Sequence, residues 1–164
     1  MPGPEHRRGL RHNAALSRAK LRGRSMLFRN FRLTILVLAA GLLGACADPP
    51  PYVNVDSTGL EQLVAQGVVL YDIRRPEEWR QTGVVAGSEL LTFADASGRV
   101  RPEFFDRFQR EVPRDRPVAL ICRTGNRTDV LGRYLMDQLG YKQVFNVRDG
   151  ITAWMREGHP VHKP

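Results

Sequence analysis

Apolar residues follow two periods along residues 54–164, and the alternation of these periods predicts strands and helices in turn. Two apolar runs, at residues 68–73 and 117–122, are typical of buried parallel strands, and a third strand is expected at residues 143–147. Apolar residues at helical spacing between these runs predict helices. The expected helices begin at Thr58, Pro76, Pro102, Thr128 and Gly150. A further short strand is expected over residues 89–93.

Two of these helices carry apolar faces that predict which residues pack inward. Thr58 and Glu61 form a capping-box pattern, and Gly67 ends that helix. Its predicted inner face consists of Leu60, Leu63 and Val64. The helix over residues 128–139 is expected to bury Val130, Leu131, Tyr134 and Leu135.

Strands separated by helices predict an α/β fold, namely a three-layer domain with a central parallel sheet and helices on both faces. Ligands of such sheets bind beyond the carboxyl ends of the strands. Cys122 stands at the end of the second strong strand and is therefore a candidate functional residue. Trp79 and Trp154 are expected in the core.

The segment before the domain has a different character. Residues 1–25 are rich in arginine and show no apolar periodicity, whereas residues 26–45 combine two arginines with an apolar run of 11 residues over 33–43. A membrane-spanning helix needs about 20 apolar residues, and the shorter run is typical of a secretory signal. We interpret residues 1–25 as a basic upstream extension and Met26 as the natural start.

The end of the apolar run predicts a lipid anchor. Residues 43–46, Leu-Gly-Ala-Cys, resemble the lipobox of bacterial lipoprotein signals. This resemblance implies that Cys46 is lipidated and that the membrane is a partner through the lipid. Residues 46–53 contain three consecutive prolines, which predict a stiff tether before the domain over residues 54–164. The expected location is the cell envelope, with the domain facing the periplasm or the exterior.

The net charge of +8 belongs to the leader and not to the domain. Residues 1–45 hold nine of the 25 basic residues and one of the 17 acidic residues, which leaves sixteen of each beyond them. A domain without a basic excess argues against nucleic acid as a partner. Cys46 and Cys122 are the only cysteines, which excludes a disulfide framework and a Cys-rich zinc site. No metal or cofactor is expected, because the sequence shows no metal cluster, nucleotide loop or flavin motif.

The residues that follow the second strand have the composition of an anion-binding loop. Residues 122–128 read Cys-Arg-Thr-Gly-Asn-Arg-Thr, and Gly125 and Asn126 are the types most tolerant of left-handed backbone. A compact loop before a helix turns its N–H groups inward, and two arginines add positive charge. Such a loop favours a thiolate, so Cys122 is predicted to be a nucleophile that needs no histidine base.

Four segments of the domain together resemble the single-domain rhodaneses, which are sulfurtransferases. Residues 71–79 are similar to the D-V-R-x-x-x-E-[YF] segment of that family, and residues 83–88 are similar to its G-H-I-P-G-A segment. Residues 122–128 are similar to the active-site loop, and residues 149–161 to the closing G-G-x-x-x-W…G-x-P-V segment. Three positions depart from these patterns: Val84, Ala86 and Asp149.

The resemblance implies a sulfurtransferase in which Cys122 takes a sulfane sulfur from a small anionic donor such as thiosulfate and becomes a persulfide. A thiol, a cyanide-like acceptor or a protein acceptor then removes that sulfur. The implied substrate-binding residues are Arg123, Thr124, Gly125, Asn126, Arg127 and Thr128. Arg74 is a further candidate for a substrate contact, although its family role is mostly to brace the loops around the site.

Two other functions stay open at this point. The domain could be a non-catalytic module of the envelope that binds or relays sulfur for a partner protein. It could also be a phosphatase or an arsenate reductase on the same fold. Those enzymes need an arginine six residues after the cysteine, whereas this chain has threonine at position 128 and arginine at 127. The shorter loop suits a sulfur-sized ligand.

Overall fold

A computed structural model describes residues 48–164, and within them five strands form one parallel sheet. The strands are β1 (Val53–Val55), β2 (Val69–Asp72), β3 (Glu89–Leu90), β4 (Val118–Ile121) and β5 (Val144–Val147). Their order across the sheet is β1-β5-β4-β2-β3, and every neighbouring pair is parallel. The predicted upstream extension, signal peptide and lipidated cysteine lie outside the described residues.

Five helices alternate strictly with the strands, as crossovers between parallel strands require. They are α1 (Ser57–Ala65), α2 (Pro76–Thr82), α3 (Pro102–Glu111), α4 (Asn126–Asp137) and α5 (Gly150–Arg156). Proline occupies the first turn of α2 and of α3, where its missing N–H leaves no helical bond unmade. Within residues 48–164, no helix has the length and apolar character that crossing a membrane requires.

The sheet separates two hydrophobic cores, because successive residues of a strand face opposite sides. In β4, Val118 and Leu120 join one core, while Ala119 and Ile121 join the other. Helices α3 and α4 cover the first core with Phe104, Phe108, Leu131 and Leu135. Helices α1 and α5 cover the second with Leu60, Leu63, Ile151 and Trp154. The predicted three-layer α/β fold is therefore confirmed, and Trp79 and Trp154 are buried as expected.

The start of α1 differs from the predicted one. Asp56 caps the helix, and its side chain accepts a hydrogen bond of 2.8 Å from the Gly59 N–H. The predicted capping box at Thr58 is therefore wrong, because the carboxylate of Asp56 already binds an N–H group of the first turn. Val64, which was expected to pack inward, is 38% exposed.

Helix α4 also differs from its prediction in its start and in its buried face. It begins at Asn126 and not at Thr128, so the turn that precedes it is shorter. Leu131 is fully buried, but Val130 is 59% exposed and Tyr134 is 43% exposed. The apolar positions of α4 span a wider arc than the sheet covers, and the outermost two remain at the surface.

The first strand was not predicted, because three residues at a sheet edge carry no clear pattern. Val53, which was assigned to the tether, pairs with Phe145 of β5. Tyr52 is 7% exposed and packs on Gly132, where an added Cβ would lie 2.8 Å from the tyrosine ring. Its hydroxyl donates a hydrogen bond to Asp129 on α4. The chain is thus attached to the domain from Tyr52 onward.

Candidate active site

Cys122 follows β4 directly, at the edge where the carboxyl ends of β2, β4 and β5 meet. Its Sγ accepts a hydrogen bond of 3.2 Å from the Gly125 N–H. The Thr128 hydroxyl lies 3.5 Å from the same sulfur and donates a 2.8 Å hydrogen bond to the Gly125 carbonyl. The cysteine is only 1% exposed, and it is the single free thiol within residues 48–164. The sulfur is therefore enclosed by a small polar cradle at the start of α4.

The cradle depends on a glycine at position 125. Gly125 has a φ of +87°, a left-handed conformation that glycine adopts without steric cost. A Cβ at this position would lie 1.7 Å from the Arg148 carbonyl oxygen, at the end of β5. The carbonyl of Arg148, directly after β5, thus lies against the loop, and only glycine leaves room for this contact.

Helix α5 holds the loop from its other side. The Ile151 N–H donates to the Cys122 carbonyl at 2.9 Å, and the Thr152 N–H donates to the Arg123 carbonyl at 3.1 Å. Gly150 permits this approach, since an added Cβ would lie 2.5 Å from the Cys122 carbonyl oxygen. Asp149, which departs from the family pattern, has a φ of −101°, so its replacement of glycine causes no backbone strain.

The two arginines of the loop occupy different environments. Arg123 is exposed, as are Thr124 and Asn126, and no ion pair involving Arg123 is present among the described residues. Arg127 is partly buried, and its Nη1 and Nη2 donate to the two carboxylate oxygens of Glu78 at 2.8 and 2.7 Å. Such a two-point contact is the strongest geometry for an arginine and a carboxylate.

Glu78 is strongly acidic in this position. Burial raises the pKa of Glu78, but the hydrogen bonds from Arg127 and from the Arg75 N–H outweigh it and lower the pKa to about 2. The hydrogen bond to Glu78 raises the pKa of Arg127, with burial acting in the opposite direction. Both groups are therefore charged at neutral pH.

Arg74 lies in the turn between β2 and α2. It is 1% exposed, and its Nη2 forms a 2.7 Å salt bridge with Asp72. Its other bonds reach the Thr82 hydroxyl at 2.6 Å and the Gly83 carbonyl at 2.7 Å. These contacts bind the guanidinium to groups of the same chain, as expected for a residue that braces the turn.

Of the predicted loop residues 123–128, Gly125 and Thr128 contact the Cys122 sulfur, while Arg123, Thr124 and Asn126 are exposed and Arg127 binds Glu78. Three contributions were not recognised from the sequence: the Glu78 carboxylate, the Arg148 carbonyl and the close approach of Gly150. Glu78 does lie in the segment 71–79 that resembles the family pattern, and this was the available signal. Residues 48–164 contain no group of three or more metal-binding side chains placed to hold an ion.

A buried cysteine at the end of a parallel strand, with a loop N–H donating to its sulfur and a helix beginning directly after the loop, lies at the edge of the sheet where α/β domains bind their ligands. The family model described as "Rhodanese-like domain" matches residues 57–157, and the chain belongs to this family.

Similar proteins agree with this assignment. A sulfurtransferase from Allochromatium vinosum is 38% identical over 113 residues, which are 68% of this chain and 95% of the relative. The crystal structure of a rhodanese-related protein from Thermoplasma volcanium is 26% identical with a TM-score of 0.54, and the match covers 69% of this chain and 100% of that one. The crystal structure of Rv0390 from M. tuberculosis is 25% identical with a TM-score of 0.57, and the match covers 69% of this chain and 99% of that one.

Proposed function

We propose that this protein is a sulfurtransferase that carries a sulfane sulfur on Cys122, as a persulfide, from a small anionic donor such as thiosulfate to a thiophilic acceptor. Membership of the rhodanese-like family and the sulfurtransferase relative support sulfur transfer in general. The observation that carries the finer proposal is the 3.2 Å hydrogen bond from the Gly125 N–H to the Cys122 sulfur. A sulfur that accepts a backbone N–H is stabilised as an anion, which is the reactive form.

The proposed reaction has two steps that balance in atoms and charge. In the first, the Cys122 thiolate attacks the outer sulfur of thiosulfate; a new S–S bond forms, the S–S bond of thiosulfate breaks, and sulfite leaves with the electron pair. In the second, cyanide or a thiolate attacks the outer sulfur of the persulfide, and the Cys122 thiolate is released. The two half-reactions give ping-pong kinetics.

Access to the sulfur is through the exposed part of the loop. Because Cys122 is 1% exposed, a donor must approach over Arg123, Thr124 and Asn126, which face solvent. Arg123 is suited to attract an anion, whereas both terminal nitrogens of Arg127 already bind Glu78. The outer sulfur of the persulfide is expected to bind the backbone N–H groups of residues 123–128.

The phosphatase alternative has little support in this geometry. A phosphatase loop needs a free guanidinium that grips the phosphate. Position 128, six residues after the cysteine, holds a fully buried threonine, and the neighbouring Arg127 is bound to a carboxylate.

The test measures thiocyanate formed from thiosulfate and cyanide by the full chain, together with the mass of Cys122 after thiosulfate alone. We expect turnover in the wild type, a mass increase of one sulfur atom on Cys122, and loss of both in Cys122→Ser. Cys46→Ser is the matched control and should retain both. A persulfide without thiocyanate would favour the non-catalytic relay, and the absence of a persulfide in a folded wild type would contradict the proposal.

We also propose that Cys46 carries lipid and that the protein is anchored in the cell envelope with its domain facing the periplasm or the exterior. The proposal is supported by the short apolar run and by the Leu-Gly-Ala-Cys sequence at residues 43–46. Metabolic labelling with an alkyne-bearing fatty acid in a bacterial host should label the wild type and Cys122→Ser. Cys46→Ala should lose the label and leave the membrane fraction. A labelled Cys46→Ala would refute the anchor.

A further inference from the structure

The ion pair between Glu78 and Arg127 connects two segments that are 49 residues apart in the chain. Arg127 belongs to the first turn of α4, immediately after the loop that encloses Cys122. Glu78 belongs to the first turn of α2. Their side chains are 25% and 13% exposed, so the pair lies at the boundary between core and solvent. The contact fixes the second arginine of the cysteine loop to an element outside that loop.

Glu78 is itself held in place by its neighbours. Its carboxylate accepts the Arg75 N–H at 3.1 Å, which caps α2. Its backbone carbonyl accepts the Thr82 hydroxyl at 2.9 Å. The buried pair of Asp72 and Arg74 fixes the turn that precedes the helix. The carboxylate therefore reaches Arg127 from a rigid support, and not as a mobile surface side chain.

The pairing changes the charge that a donor meets near the sulfur. An unpaired arginine beside the cysteine would add a full positive charge to the cradle. Paired with an ionised carboxylate, the same guanidinium contributes little net field, and its two-point hydrogen-bonding surface is occupied. Arg127 lies two residues after Gly125, whose N–H donates to the Cys122 sulfur, so the charge of Arg127 belongs to the same turn as the sulfur cradle.

We propose that Glu78 is a positioning residue that holds the Arg127 guanidinium against the cysteine loop and cancels its charge, so that the exposed Arg123 is the arginine that meets the anionic sulfur donor. The effect on the choice of sulfur donor rests on the proposed function, because it requires that the protein transfers sulfur. The physical content of the inference, the charge felt at the sulfur, is measurable without any sulfur transfer.

The experiment compares the alkylation of Cys122 by iodoacetate, an anion, with alkylation by iodoacetamide, its neutral analogue. Rates are read from the mass of the Cys122 peptide in the full chain. The ratio of the two rates reports the charge near the sulfur, while a loosened loop would accelerate both reagents alike. The variants are Glu78→Gln, Arg127→Gln and the double variant. Glu77→Gln is the matched control, because Glu77 is 54% exposed and pairs with Arg75, not with the loop.

We expect Glu78→Gln to raise the iodoacetate-to-iodoacetamide ratio by about threefold, the order of effect that one unit charge has over a few ångströms in a water-like medium. Arg127→Gln should lower the ratio, and the double variant should return it to the wild-type value. Glu77→Gln should leave it unchanged. Consistently, Glu78→Gln should lower the KM for thiosulfate, and Glu78→Asp, which keeps the charge, should not.

An unchanged ratio in Glu78→Gln, or an equal change in Glu77→Gln, would overturn the inference even if the wild type transfers sulfur. If the wild type transfers no sulfur but the ratios follow the expected order, the proposed function fails and the charge role of Glu78 stands. Circular dichroism verifies the fold of each variant. If Glu78→Gln does not fold, Arg127→Gln and the double variant still test the inference. Equal iodoacetate-to-iodoacetamide ratios in Arg127→Gln, the double variant and the wild type would refute it.

Discussion

Replacing Gly125 by alanine perturbs the sulfur cradle at its tightest point. The position has a φ of +87°, and an added Cβ would lie 1.7 Å from the Arg148 carbonyl oxygen. Ordinary van der Waals contact begins at 3.4 Å, so the loop or β5 must move by about 1.7 Å. Such a movement breaks the hydrogen bond from the Gly125 N–H to the Cys122 sulfur.

The expected cost combines two contributions. The left-handed conformation costs an alanine about 1–2 kcal/mol. Overpacking against the β5 backbone and the loss of the hydrogen bond add about 2–3 kcal/mol. The sum of about 3–5 kcal/mol is a large part of the stability of a domain of this size. Sulfur transfer should fall with it, because the cradle no longer closes on Cys122.

Gly140→Ala is the matched control. Gly140 has a φ of +74°, but an added Cβ would meet nothing within 4 Å. The Gly140→Ala variant should therefore lose only the about 1–2 kcal/mol of unfolding free energy that the left-handed conformation costs, and it should keep full activity. Urea unfolding, followed by the fluorescence of the two buried tryptophans, measures both variants. If the two free energies of unfolding agree within about 1 kcal/mol, the close contact with β5 does not constrain the loop and the reasoning fails.

Three further predictions concern charge and redox state. The folded-state pKa of Glu78 is lowered from 4.5 to about 2, so the ionised carboxylate stabilises the fold fully above pH 4.5 and loses this effect as the pH falls towards 2. Between pH 5 and pH 3 the free energy of unfolding should fall by about 2 kcal/mol more in the wild type than in Glu78→Gln, and an equal fall in urea unfolding would contradict this. Asp72→Asn leaves Arg74 buried without its counter-charge and should lower the free energy of unfolding in urea by about 3–5 kcal/mol. Asp106→Asn, at an exposed position, should lower it by almost nothing, and equal losses in the two variants would refute the bracing role of Arg74. Air-exposed enzyme should gain activity after mild reduction, because Cys122 has no cysteine partner within the described residues; activity unchanged by reductant would contradict the oxidation of this thiol.

The features around Cys122 were predictable because their signals are local. The apolar run of β4, the glycine that follows it and the apolar spacing of α4 all lie within residues 117–139. Each signal depends on interactions between residues a few positions apart in the chain. The strand, the loop and the helix, and the cysteine between them, were therefore recognised from the sequence alone.

Predictions of which side chains are buried were less successful, because the elements that cover a helix come from distant parts of the chain. Val130 and Tyr134 have the spacing of an inner helical face, but the sheet covers only the side that carries Leu131 and Leu135. Hydrophobic spacing reports which residues share a face of a helix. It does not report how wide a strip of that face the neighbouring elements cover.

The amino-acid sequence by itself determined the alternating strands and helices, the position of the cysteine loop between a strand and a helix, and the family to which the domain belongs. Only the tertiary structure decided what surrounds the sulfur. The Glu78 carboxylate on Arg127 and the Arg148 carbonyl against Gly125 come from segments far away in the chain. These contacts exist because parallel strands end at one edge of the sheet, and the order of the strands, which no local pattern encodes, determines which strand ends are neighbours.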